Sequence, residues 1–150
     1  MRMETKEILS KSGWYSGRKI NIKHFIKYYE DAGMEVFESV KKFLEEFGDL
    51  EINIKIHTLK FGENIYKAYF NPIHFKWGYD TDLDIEEFIK EKFLVVGDMQ
   101  NNMYKVIIGE SGKVYFDDGL ISENIDDALD IICLKQDDKL ILFENLVYIN

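Results

Sequence analysis

The sequence predicts an α+β fold in which a mainly antiparallel sheet carries an N-terminal helix pair and further helices packed to one side. Hydrophobic residues recur at helical spacing before residue 50 and alternate after it, and the segments between the predicted strands are short. The chain has 150 residues, of which 46% are hydrophobic and 15% aromatic. That is enough to bury one core, so we expect residues 1–150 to form a single domain.

A pair of helices is predicted near residues 21–32 and 35–47, after a short helix or turn at 4–12. Apolar residues in the pair lie three and four positions apart, which places them on one helical face. Gly33 and Gly48 follow these segments, and glycine is typical of helix ends. The inward residues are Ile22, Phe25, Ile26 and Tyr29 in the first helix and Val36, Phe37, Val40, Phe43, Leu44 and Phe47 in the second.

Strands are predicted after residue 50. Two segments alternate apolar and polar residues, with Ile52, Ile54 and Ile56 in the first and Tyr66, Ala68 and Phe70 in the second. A short apolar strand runs from Phe93 to Val96, and Tyr104–Ile108 and Val114–Phe116 form a hairpin around Gly109–Gly112. A final strand or bent pair is expected within residues 140–149.

Two further helices are predicted among these strands. Asp84 and Glu87 have the spacing of a capping box, which predicts a helix that carries Ile85, Phe88 and Ile89. Asn124 is the predicted cap of the last helix. The buried face of that helix is Ile125, Ala128, Leu129, Ile132 and Cys133.

Acidic residues outnumber basic ones, and the excess lies in one part of the chain. There are 28 Asp and Glu against 19 Lys and Arg, a net charge of −9. Residues 1–49 hold nine of each sign, so residues 50–150 carry the whole excess. Such a field repels nucleic acid and anionic membranes and attracts basic partners. An acidic surface that serves only solubility is the simpler alternative.

The composition indicates a cytoplasmic protein. No apolar run approaches eighteen residues, and the N-terminal segment lacks the apolar stretch of a signal peptide. Cys133 is the single cysteine, so no internal disulfide can form.

No residue pattern predicts catalysis, a cofactor or a metal. Gly109–Lys113 resembles a phosphate-binding loop but has the wrong glycine spacing, so a hairpin turn is expected. The three histidines are far apart, and Cys133 lies on an apolar helix face. Asp80, Asp82 and Asp84 begin like a calcium loop, but Ile85 stands where such a loop needs glycine. The sequence therefore predicts a protein that is not an enzyme.

The most distinctive segment is Gly13-Trp14-Tyr15-Ser16-Gly17-Arg18, in which a tryptophan lies between glycines ahead of the helix pair. With motifs further along, it resembles the SUKH superfamily of bacterial immunity proteins, in its third group. Those motifs are Val36-Phe37, Phe70-Asn71-Pro72, Gly112-Lys113-Val114-Tyr115, Asn124-Ile125 and Ala128-Leu129. The resemblance covers about residues 8–134, and the tail 136–150 extends beyond it.

The resemblance implies an antidote that binds a cognate toxin domain, often a nuclease or nucleic-acid deaminase, inside the producing cell. The expected partner is that toxin, a basic protein, rather than nucleic acid, a membrane or a small-molecule substrate. The alternative is a protein-interaction or regulatory module of the same fold without a toxin. A toxin gene directly upstream would favour the first hypothesis over the second.

Four residues that carry the resemblance are expected to be structural: Gly13, Trp14, Gly17 and Arg18. Trp14 is predicted to close the core as a lid, and a binding hot spot is the alternative. Arg18 is predicted to fix its loop through a carboxylate or through carbonyls at a helix end.

Acidic residues are the candidate toxin-binding residues, because a basic partner would be drawn to them. Asp80, Asp82, Asp84, Glu86 and Glu87 rank first, since a loop that leads into a helix can project several carboxylates together. Asp117 and Asp118 rank second and are expected in a turn. Asp126, Asp127 and Asp130 are expected to form a solvated helix face.

Overall fold

A computed structural model describes residues 1–58, 62–73, 83–99, 104–134 and 141–142. These residues form five helices and seven strands, and the predicted α+β class is confirmed. In chain order the elements are α1 (Met3–Lys11), α2 (Lys23–Asp31), α3 (Glu38–Phe47), β1 (Glu51–Thr58), β2 (Gly62–Tyr69), α4 (Leu83–Phe88), β3 (Phe93–Met99), β4 (Tyr104–Gly109), β5 (Val114–Phe116), β6 (Gly119–Ser122), α5 (Ile125–Cys133) and β7 (Ile141–Leu142).

The seven strands form one sheet in the order of the chain, and each strand is antiparallel to the next. The long β1–β2 ladder pairs Ile54 with Tyr66, so the alternating apolar residues of both strands share one face. In the β4–β5 hairpin, Ile108 pairs with Val114. Four of the six connections are short, and such connections are compatible only with antiparallel neighbours, which is why the sequence could predict most of this sheet.

The main core lies between one face of the sheet and helices α1, α2, α3 and α5. Each helix contributes completely or almost completely buried apolar side chains, as its spacing predicts. Representative members are Leu9 of α1, Phe25 and Tyr29 of α2, Phe43, Leu44 and Phe47 of α3, and Leu129 and Ile132 of α5. The sheet supplies Ile52, Ile54, Val96, Val106, Ile108, Val114 and Ile121.

A second, smaller core lies on the opposite face of the sheet. Ile85 and Ile89, in and just after α4, pack there with Val95, Ile107 and Tyr115. Val95 lies between Leu94 and Val96, which belong to the main core, so β3 buries both of its faces. Such a strand reads as a continuous apolar run rather than as an alternating one.

Two helix boundaries follow from local chemistry, whereas the cap predicted for a third helix is wrong. Gly33, just after α2, has a φ of +77°, in the left-handed region that favours glycine. Asn124 Oδ1 accepts a hydrogen bond of 2.9 Å from Asp127 N, so the predicted cap of α5 is confirmed. The capping box predicted for α4 is wrong, because that helix already begins at Leu83 and Asp84 lies inside its first turn.

Other boundaries differ from the predicted ones. Helix α3 begins at Glu38, so Val36 and Phe37 lie in the connection before it. Strand β3 does not end at Gly97 but continues to Met99 through a β-bulge. Strand β6 was not predicted, because four residues that begin with glycine carry too weak a pattern. Of the predicted last strand or pair, Ile141–Leu142 is a strand, and residues 143–150 lie outside the described residues.

Candidate functional site

The Trp14 loop, defined as residues 13–18, connects the end of α1 to the segment before α2. Gly13 and Gly17 have φ values of +106° and +82°, which side chains other than glycine rarely adopt. Trp14 N donates a hydrogen bond of 3.1 Å to Leu9 O, which turns the chain back onto the end of α1. The Trp14 side chain is 8% exposed and belongs to the main core.

Two side chains of this loop hold the C-terminal end of α3. The Trp14 indole donates a hydrogen bond of 3.0 Å to Glu46 Oε2. The Arg18 guanidinium donates to Glu46 O at 2.6 Å and to Gly48 O at 2.9 Å. The last carbonyls of a helix have no partners within it, and they carry the negative end of its dipole. A cation with two parallel donors therefore satisfies and stabilises this helix end.

The five acidic positions that rank first are only partly described. Asp80 and Asp82 lie outside the described residues, and of the side chains of Asp84 and Glu86 in α4 nothing is described. Glu87, also in α4, is exposed. These positions therefore remain predictions.

Asp117 and Asp118 form the turn between β5 and β6, as the sequence predicts. Asp117 is half-buried, and its Oδ1 accepts a hydrogen bond of 2.5 Å from Lys105 N. Asp118 is exposed. The two carboxylates thus have different surroundings, since one fastens the turn to β4 and the other faces solvent.

The acidic face of α5 is not uniformly solvated. Asp126 and Asp127 are exposed, but Asp130 Oδ1 accepts hydrogen bonds from Arg2 N at 2.8 Å and from Thr5 Oγ1 at 2.7 Å. Burial opposes ionisation of Asp130, yet these hydrogen bonds outweigh it and lower the pKa of the carboxyl. Asp130 therefore joins α1 to α5, and the expected solvated face is reduced to Asp126 and Asp127.

A groove of about 370 Å³ opens between α3, the β4–β5 turn and the start of α5. Its lining residues are Ser39, Lys42, Phe43, Glu46, Phe47, Ile108, Ser111, Gly112, Glu123, Asn124 and Ile125. The aromatic and aliphatic members are buried or half-buried and form the floor, whereas charged and polar members form the walls. Because the groove brings together three distant parts of the chain, sequence patterns could not identify it.

The β4–β5 turn at this groove is held by hydrogen bonds to Glu91. Its carboxylate accepts hydrogen bonds from Ser111 N at 2.7 Å, from Ser111 Oγ at 2.8 Å and from Tyr115 Oη at 3.0 Å. On the α3 side, Ser39 Oγ donates to Gly109 O at 2.8 Å. The groove wall that carries Ser111 and Gly112 is therefore anchored at both ends.

Cys133, the single cysteine of the chain, lies in surroundings that disfavour reactivity. Cys133 is 3% exposed, and burial, with a smaller effect of Asp130, raises the pKa of its thiol to about 12. Since only the thiolate is a strong nucleophile, Cys133 is inert at neutral pH. Among the described residues, no group of three or more His, Cys, Asp or Glu side chains could hold a metal ion.

Comparison with known proteins gives one match. A protein-family model described as SUKH-3 immunity protein matches residues 1–135. No curated protein matches the chain. No solved structure matches it either. Within the described residues, none of the helices has the length and apolar character needed to cross a membrane.

Proposed function

Because this chain belongs to the SUKH-3 immunity protein family, we propose that it binds one cognate toxin domain, a basic nuclease or nucleic-acid deaminase, in the cytoplasm of the producing cell. Family membership confirms the resemblance drawn from the Trp14 loop and implies toxin immunity, with a toxin as partner. Proteins of such a family act by binding, so this chain is not an enzyme.

The charge distribution supports a basic toxin. The net charge of −9 resides entirely in residues 50–150. Enzymes that act on nucleic acids bind phosphate through clusters of Lys and Arg, which produce a positive surface around the active site. An acidic protein is drawn to such a surface and, once bound, excludes the nucleic acid from it. Neutralisation by occlusion needs no catalytic group on the immunity protein.

Co-purification tests this proposal directly. The toxin domain encoded by the neighbouring gene, inactivated by one active-site substitution, is co-expressed with the tagged chain. We expect a stable complex that elutes as one species in size-exclusion chromatography. A toxin that elutes apart from the chain would contradict the proposal. A toxin that binds, but whose unsubstituted form has neither nuclease nor deaminase activity, would contradict only the proposed class of toxin.

Neutralising the acidic turn between β5 and β6 is expected to slow association with the toxin. In the double variant Asp117→Asn and Asp118→Asn, we expect the association rate at low salt to fall about three- to tenfold, with a weaker salt dependence. The asparagine at 117 keeps an oxygen that can accept from Lys105 N. Stopped-flow measurements at two salt concentrations report the effect, and the five positions of the 80–87 cluster are tested in the same way.

The matched control is Glu4→Gln with Glu7→Gln on α1. Both side chains are exposed, and the substitutions remove the same charge from the part of the chain that is neutral overall. If the control slows association as much as the turn variant does, only net charge matters. If none of the variants changes the rate, the acidic surface serves solubility rather than recognition.

A further inference from the structure

The groove between α3 and the start of α5 has an apolar floor and is lined by carboxylates from two different elements. Phe43 and Phe47 of α3 and Ile108 of β4 are at most 3% exposed and form most of the floor, with Ile125 at its edge. Glu46 lines the groove from α3, and Glu123 lines it from the segment before α5. An extended side chain with an apolar stem and a charged end fits such a site, because both parts find complementary surroundings.

Glu46 can accept a cation while it holds its present contact. Only its Oε2 receives the Trp14 indole, at 3.0 Å, and an ionised carboxylate offers about four acceptor positions. The contact also fixes the carboxylate in place, so less rotamer freedom is lost when a ligand binds. Trp14, although buried, thus orients a carboxylate that lines the groove.

Glu123 is available on the other side. Its ion pair with Lys113 is long, at 3.9 Å, and the Glu123 side chain is 70% exposed. Exposed pairs of this kind contribute little free energy, so an incoming cation can replace Lys113 at small cost. Asn124, the next residue, caps α5, and Asp126 and Asp127 occupy the first turn, which offsets the positive end of that helix.

We propose that this groove receives a long cationic side chain, an arginine or a lysine, that the cognate toxin inserts. The aliphatic stem packs on the Phe43, Phe47 and Ile108 floor, and the guanidinium or ammonium group lies between Glu46 and Glu123. This inference rests on the proposed function, since the occupant belongs to the toxin. Toxin residues that bind phosphate in nucleic acid carry the same charge. A residue of this kind that is inserted into the groove would no longer be available to bind nucleic acid.

The charge of Lys42 distinguishes a cationic occupant of the groove from an anionic one. It is exposed and also lines the groove, one helical turn before Glu46. A cationic occupant would be repelled by Lys42, whereas an anionic occupant would be bound by it. Removal of this charge therefore has opposite consequences for the two kinds of ligand.

The experiment measures the dissociation constant of the inactivated toxin domain from the neighbouring gene for the full chain and four variants. We expect Glu46→Gln and Glu123→Gln each to weaken binding about tenfold, mainly through faster dissociation. Lys42→Gln is expected to leave affinity unchanged or to increase it. Asp126→Asn removes the same charge from an exposed position of α5 outside the groove, and it serves as the control. Gln at 46 keeps an oxygen for the Trp14 indole, and equal unfolding curves establish that every variant is folded.

The possible results distinguish failure of the groove inference from failure of the proposed function. If the toxin binds and both Glu variants lose no more affinity than Asp126→Asn, the groove inference is overturned while the proposed function stands. If Lys42→Gln weakens binding and the Glu variants strengthen it, the occupant is an anion and the inference is wrong. If the unmodified chain does not bind the toxin, the proposed function and the groove inference fail together.

Discussion

Trp14→Ala is expected to lower the free energy of unfolding by about 3–5 kcal/mol, the range for removal of a large buried aromatic side chain. Trp14 is 8% exposed and packs in the main core, so its removal leaves a cavity beside the end of α3. The same substitution deprives Glu46 of its indole donor. Urea unfolding followed by far-UV circular dichroism measures the effect, because fluorescence would itself change with the tryptophan content.

Trp14→Phe separates packing from the hydrogen bond. Phenylalanine keeps most of the apolar volume but cannot donate to Glu46. We therefore expect Trp14→Phe to lower the free energy of unfolding by less than half as much as Trp14→Ala does. The alternative role of Trp14 is that of an interface anchor. An alanine variant that unfolds like the unmodified chain but no longer binds the toxin would show that this alternative is correct.

Arg18→Ala is expected to lower the free energy of unfolding by about 2–3 kcal/mol, because it removes two charge-assisted hydrogen bonds. The carbonyls of Glu46 and Gly48 then lack the donors that they have at 2.6 and 2.9 Å. Ile20 N still donates to Glu45 O at 2.9 Å, so the segment just after the loop keeps one backbone contact with the helix end. Thermal and urea unfolding report the loss.

Arg18→Lys is the matched control for Arg18→Ala. Lysine preserves the charge at the negative end of the helix dipole but lacks the planar pair of donors. It should restore part of the stability, and the remainder measures the value of the bidentate geometry. Equal stability of the alanine, lysine and unmodified forms would show that Arg18 does not stabilise the end of α3.

The sequence could predict the elements because their patterns are local. Phe25 and Tyr29 lie four residues apart on α2, and both side chains are completely buried. Asn124 caps α5 through a contact with Asp127, only three residues away. The physical causes of these features lie within one helical turn, so the sequence alone is sufficient to identify them.

What the sequence could not predict depends on contacts between distant residues. The sequence predicted all helices on one side of the sheet, whereas α4 packs on the opposite face. The pattern could not reveal this, because the apolar residues of β3 are buried on both sides. For Arg18 it offered a carboxylate or helix-end carbonyls, and only the fold selects the carbonyls of Glu46 and Gly48. Similarly, Glu46 and Glu123 come from separate parts of the chain, and neither has a local pattern that marks it as a groove residue.

The roles of the individual acidic residues also depend on distant contacts. Composition indicates an acidic surface, but it does not distinguish a carboxylate that holds the fold from one that faces solvent. Asp130 belongs to the first kind, because it accepts hydrogen bonds from Arg2 and Thr5, whereas Asp118 belongs to the second. Removal of Asp130 should therefore affect stability first, and removal of Asp118 should affect association.

Neutralisation can be measured by titrating the active toxin domain with this chain, with nucleic-acid cleavage or deamination as the readout. If the chain neutralises the toxin by occluding its active site, activity falls in proportion to the added chain and disappears at equimolar complex. High salt should shift the titration toward weaker inhibition, because acidic residues steer the encounter. A toxin that keeps its full activity in the presence of a large excess of folded chain would show that this protein does not neutralise it.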